Sequence, residues 1–172
     1  GDLVTRFYSR WTAEGLASHR RAAETLAGVA RDAFAHLAEV VRAGGEITEG
    51  ELREWVLRTM AERGVGAGAD SIVANGVNAA DPHYHPVSGG AVFREGDLVL
   101  LDLWGKEADH LIYADQTWMA YLGSSVPDRA VEVWTAVRDA RDAAVDFIRR
   151  RWNEGESILG HEVDDVTREL IT

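Results

Sequence analysis

The sequence predicts an α+β fold in which helices flank an antiparallel sheet. Three observations predict it. Two early segments place apolar residues at steps of three and four, the spacing of an amphipathic helix. Residues 97–104 (DLVLLDLW) and 111–122 (LIYADQTWMAYL) are apolar and aromatic runs of strand character, joined by a short polar stretch. A further long helical pattern follows, so the order is helix, helix, strands, helix.

The first helix is expected over residues 12–42. Leu26, Val29, Ala30, Ala33, Phe34, Leu37, Val40 and Val41 form its stripe, and Gly44-Gly45 stops it. Thr48 and Glu51 then stand at capping-box spacing, which opens a second helix with Leu52, Trp55, Val56 and Met60 inward and an end at Gly64. Residues 64–68 read as a loop, residues 71–74 as a short strand and Asn75-Gly76 as a turn. Pro82 and Pro86 exclude a helix between them. Residues 97–104 read as a buried strand, 105–110 as a polar hairpin loop and 111–122 as the returning strand. Gly123-Ser124-Ser125 breaks the pattern, and Pro127 suits a first helical position. Ala130, Trp134, Val137, Ala144, Phe147 and Ile148 mark a long helix with the aromatic residues in the core. Residues 153–155 end it, and residues 163–171 begin one more. No linker, internal repeat or low-complexity segment stands out.

Composition narrows the function. The 172 residues are enough for one domain with a sizeable core. A net charge of −11 disfavours nucleic acid and anionic membrane surfaces as partners, since both require a basic patch, and it does not discourage divalent cations. There is no cysteine, so disulfides and thiolate metal sites are excluded and a reducing, cytoplasmic location is allowed. No apolar run approaches a membrane span, and no signal-peptide pattern opens the chain. The opening Gly1-Asp2-Leu3 reads as a cut edge.

The most informative residue is Asp102. An ionised carboxylate within an apolar run costs several kcal/mol or more if left unpaired. Asp115 is a second carboxylate in a second apolar strand, and adjacent antiparallel strands can bring the two together. Like charges that close require a metal or a shared proton, and paired oxygen ligands suit magnesium or first-row divalent metals. Each Asp taken singly reads equally as a strand-end residue capped by backbone amides or facing solvent. Asp81-Pro82-His83-Tyr84-His85-Pro86 is a proline-stiffened loop whose imidazoles can donate to a substrate carbonyl or an oxyanion; from the loop alone it reads as surface. His19, His36, His110 and His161 read as structural or solvated, and Arg149-Arg150-Arg151 as a solvated helix end. Phosphate-binding and dinucleotide fingerprints and a serine nucleophile elbow are all missing.

Four segments together resemble the pita-bread metallopeptidase family, which includes methionine aminopeptidase, Xaa-Pro aminopeptidase, prolidase and creatinase. Gly76-Val77-Asn78-Ala79-Ala80-Asp81-Pro82-His83-Tyr84 resembles its Gly-x-Asn-Ala-x-x-x-His-Tyr loop. Gly96-Asp97 leading to Asp102 resembles the strand with the first metal ligand, and Tyr113-Ala114-Asp115-Gln116-Thr117 the strand with the second. Gly160-His161-Glu162-Val163-Asp164-Asp165-Val166-Thr167-Arg168 resembles the helix that opens the second half of the domain. Each motif alone is weak; the four in order, from about Leu16 to Ile171, are specific.

The resemblance implies a partial pita-bread domain over residues 1–172, with a preceding N-terminal domain and a C-terminal remainder outside this chain. It implies two divalent metal ions (manganese, cobalt, iron or zinc), with Asp102 chelating one and Asp115 bridging both. His83 would be catalytic, stabilising the tetrahedral intermediate. His83, Tyr84 and His85 would bind a short peptide substrate, and Thr117 would support Asp115. The Pro-His-Tyr form of the loop favours the Xaa-Pro branch. Trp118, where many members have Arg, and a long hairpin mark divergence. The family's remaining ligands, a His and two Glu, would lie beyond Thr172, so this chain alone is expected to be nearly inactive. Family members often form homodimers. A creatinase-like C–N hydrolase and a non-catalytic binding module of the same fold are the alternatives.

Overall fold

A computed structural model of the chain describes residues 9–66, 71–108 and 112–171. It forms two compact units, one ending at Gly123 and the other beginning at Ser124. The division falls in the Gly-Ser-Ser break that interrupts the strand pattern.

In the first unit, helix α1 spans Ala13–Arg42, capped by Thr12, whose hydroxyl accepts from Gly15 N at 2.9 Å. The expected stripe is its buried face: Leu26, Val29, Ala30, Ala33 and Leu37 are fully buried, with Ala22 and Ser18 extending it. Helix α2 spans Glu49–Glu62 and opens with the expected capping box. Thr48 N donates to Glu51 Oε2 at 2.8 Å, and Glu51 N donates to Thr48 Oγ1 at 3.2 Å. These bonds satisfy backbone donors that no earlier turn can reach. Leu52, Val56 and Met60 are buried, while Trp55 stacks on His36 with ring centroids 5.0 Å apart.

Four strands form the sheet: β1 (Val65–Gly66), β2 (Ile72–Asn75), β3 (Leu98–Glu107) and β4 (Ala114–Tyr121). All pairings are antiparallel, with β3 central, β1 and β2 along one side of it and β4 on the other. Two expectations are corrected here. Residues 105–107 continue β3 instead of starting a hairpin loop, and residues 65–66 form a strand instead of a loop. Each explains the other, because Val65 pairs with Glu107 and Gly66 with Lys106. Gly105 permits this contact, since a Cβ there would meet the Val65 and Met60 side chains. The expected β4 begins later, at Ala114; Leu111 and the hairpin-tip His110, like Gly68, lie outside the described residues.

The run 97–104 was expected to be buried throughout. It alternates instead: Val99, Leu101 and Leu103 are fully buried, while Leu98, Leu100, Asp102 and Trp104 are half-exposed. The odd-numbered face joins one core with α1 and α2. The even-numbered face is the open side of the sheet, and Asp102 stands on it.

In the second unit, helix α3 spans Asp128–Asn153 with Pro127 as N-cap, so the helix begins one residue after the Pro127 expected to open it. Helix α4 spans Gly160–Ile171, starting three residues before the expected Val163. The expected core stripe of α3 is not buried. Among its residues Ala140 alone is, and Trp134 and Val137 are 49% and 56% exposed. Arg151 is not simply solvated: its Nη2 donates to Ser157 O at 2.9 Å and Glu162 Oε1 at 3.2 Å. Among the described residues, no helix is long and apolar enough to cross a membrane.

Candidate active site

Strand register decides where the two carboxylates meet. Asp102 faces Thr117 across the β3–β4 ladder, and Asp115 faces Trp104. Asp102 and Asp115 are therefore diagonal neighbours on one face, a relation that puts backbones about 7–8 Å apart and side chains closer. Their mutual influence is visible in the protonation of Asp115. Its carboxyl is raised above the usual carboxylate range, first by partial withdrawal from water and then by the charge of Asp102. A cation between them would reverse the second effect.

Thr117 was expected to support Asp115. Its hydroxyl instead donates to Asp102 Oδ1 at 2.9 Å. The reason is the pleat: Thr117 lies directly opposite Asp102, while Asp115 is two residues away along the same strand.

A cleft of about 440 Å³ opens on this face, lined by Ile72, Pro82, His83, His85, Asp102, Trp104 and Asp115. A second hollow of about 390 Å³ shares Ile72, Pro82 and Asp102 with it and adds Thr117. The strands and the proline-stiffened loop, far apart in sequence, thus meet at one cleft. Among the described residues no three His, Cys, Asp or Glu side chains gather as a metal cluster. The chemistry of the donor set nevertheless fits one flank of a divalent-cation site: two carboxylates side by side, one of them already strained by the charge of the other.

The loop itself is held from below. Glu49, the first residue of α2, is fully buried and accepts four hydrogen bonds. Oε1 takes Asn75 N at 2.6 Å and Asn78 Nδ2 at 2.9 Å. Oε2 takes the Tyr84 hydroxyl at 2.6 Å and Ala91 N at 2.6 Å. Hydrogen bonds to charged groups contribute about 1.5–3 kcal/mol each, enough to offset the burial of a carboxylate at a helix N-terminus. The Tyr84 hydroxyl is pushed up to about 12 by burial and then by Glu49. Of the three expected substrate-binding residues, His83 and His85 line the cleft, whereas the Tyr84 hydroxyl is engaged with Glu49 and Asn78. His83 N donates to Asp81 Oδ1 at 2.9 Å, which tightens the turn before the imidazole. Nearby, Asp97 Oδ2 accepts from Arg94 N at 2.7 Å and from Asn75 Nδ2 at 2.8 Å. Two other histidines take structural places: His19 Nδ1 lies 2.8 Å from Tyr113 O, and His36 stacks on Trp55.

Glu49 and Trp104 were not foreseen as site residues. An acidic residue in a first helical turn is ordinary, and nothing local announces that its partners lie 26 to 42 residues away. Trp104 could have been found from strand alternation, since it is two residues from Asp102.

The model of metallopeptidase family M24 matches residues 17–172. The chain belongs to that family. Its fold is also that of solved pita-bread proteins. An X-Pro aminopeptidase from Thermotoga maritima is 25% identical with a TM-score of 0.76, covering 99% of this chain and 44% of that one. A dipeptidase from Pyrococcus horikoshii is 27% identical with a TM-score of 0.75, covering 99% and 43%. An X-prolyl aminopeptidase from Caenorhabditis elegans, described as a cytosolic enzyme with a di-nuclear active site, is 20% identical with a TM-score of 0.78, covering 98% and 27%. The chain thus spans less than half the length of these structures. Among curated proteins none matches it.

Proposed function

We propose that the M24 chain forms part of a peptidase that hydrolyses the N-terminal peptide bond of short peptides with proline in the second position. The observation that carries this reading is the convergence of Asp102, Asp115 and the His83–His85 loop on one cleft. Similarity to aminopeptidases and dipeptidases supports the same class.

Asp102 and Asp115 would hold two divalent cations as part of a larger ligand set. When bound, such a pair supplies Lewis acidity and a nucleophilic water near neutral pH. The residues present have roles of their own. Thr117 holds the Asp102 carboxylate in one orientation through its hydroxyl. His83, which lines the same cleft, can donate a proton to oxygen charge developing on the scissile carbonyl. Ile72, Pro82 and Trp104 give the cleft apolar walls suited to a compact proline ring. Manganese as the metal, a cytoplasmic location and a homodimer belong to the same proposal.

A substrate panel on the full-length protein with manganese tests it. Xaa-Pro dipeptides and tripeptides are expected to be cleaved, with Xaa-Ala analogues at least about tenfold slower. Turnover of creatine without peptide cleavage would favour the C–N hydrolase instead, and no turnover of any substrate would favour a binding module.

A further inference from the structure

We infer that Glu49 is the positioning residue for the His83–His85 loop, fixing both imidazoles against the Asp102/Asp115 pair. Its four bonds are distributed in a telling way. Asn75 N is the start of the segment that leaves the sheet, and Ala91 N is where that segment returns to pair beside α2. Asn78 and Tyr84 lie between them. One buried carboxylate thus grips the loop at its start, at its end and at two interior points. Tyr84 sits between His83 and His85, so the bond from its hydroxyl fixes the backbone from which both rings project. That hydroxyl also accepts from Asn78 Nδ2 at 3.0 Å, tying the two interior points together.

The packing leaves little freedom around this carboxylate. Gly90 has φ +77°, and a Cβ there would collide with Glu49 Oε2. Glu49 N donates to Ala91 O at 3.0 Å, so residues 49 and 91 hold each other through backbone and side chain together.

The donor pattern predicts which substitutions fail. A carboxylate offers acceptors alone, and each of its oxygens here meets two donors. A carboxamide of the same shape must turn an NH₂ group toward two of them, whichever way it flips. Glu49→Gln therefore preserves size and loses the grip. Tyr84→Phe removes a single hydroxyl and loosens the loop between the two histidines.

What the loop is positioned for rests on the peptidase reading; that Glu49 positions it does not. The test uses backbone amide relaxation of the 172-residue chain as wild type, Tyr84→Phe and Glu49→Gln. In the wild type the amides of His83, Tyr84 and His85 are expected in the rigid range, with order parameters near about 0.85. In both variants they are expected to fall toward about 0.6 or below, while β3 and β4 amides stay unchanged. A Glu49 that merely contributed to global stability would lower the melting temperature and leave these amides as ordered as β3 below it; that result overturns the assignment. Should Glu49→Gln fail to fold, Tyr84→Phe decides, and an unchanged loop overturns it. Added manganese supplies the second readout. Its paramagnetic broadening of the His83 and His85 ring signals is expected to drop by about twofold or more in the variants at equal manganese affinity; undiminished broadening counts against the assignment. If the wild-type chain binds no manganese, the metal-free order parameters decide the role of Glu49, and the substrate panel decides the peptidase reading.

Discussion

Asp115 shows at the scale of one residue what a site of this kind costs the fold. Its carboxyl is raised by withdrawal from water and by Asp102. A carboxyl with a higher pKa folded than unfolded favours folding most below the ordinary carboxylate range, and this contribution is lost as pH rises through the raised value. Asp115→Asn should therefore stabilise the metal-free chain at pH 7, by less than about 1 kcal/mol because the group is solvent-exposed. At pH 3, where the raised Asp115 carboxyl is protonated, the gain should vanish. Urea unfolding at the two pH values measures the difference, and equal stability at pH 7 would show that the repulsion is negligible. Asp102 and Asp115 were legible as a pair because carboxylates in apolar strands are conspicuous. The partner of Thr117 was not, because it depends on the register of β3 against β4 and sequence alone leaves that open.

At the scale of elements, β3 carries both the core and the cleft, on opposite faces. Leu101 is fully buried on the core side, whereas Leu100 is half-exposed on the cleft side. Leu101→Ala should cost about 2–5 kcal/mol, the range for a fully buried leucine. Leu100→Ala should cost clearly less. Chemical denaturation of the two variants checks the alternation directly, and equal losses would mean that the strand is buried on both faces. Much of this level was readable beforehand. The stripe of α1 and the capping box of α2 are local patterns, and local patterns survive folding. The extension of β3 through Gly105, Lys106 and Glu107 was hidden, since polar residues after a glycine look like a turn. What makes them strand is pairing with Val65 and Gly66, some forty residues earlier. The grip of Glu49 on its loop was hidden for the same reason.

At the scale of the molecule, the chain has one well-packed unit, ending at Gly123, and a helical second unit in which Ala140 alone of α3 is buried and no residue of α4 is. The apolar spacing in α3 was read correctly as helix, but spacing does not reveal whether a partner surface lies within the same chain. Trp152, 77% exposed on α3, makes the point. The M24 assignment rests on nearly the whole chain, residues 17–172, and the four motif segments that suggested it are spread across both units. The site itself lies in the first unit, in a protein with a net charge of −11 that offers many weak sites for cations. The central claim is that Asp102 and Asp115 form a specific one. A calorimetric manganese titration of the chain beside Asp102→Asn tests it most directly. The predicted result is saturable binding in the wild type, weakened at least about tenfold in Asp102→Asn. Equal binding by both, or none by the wild type, would contradict it.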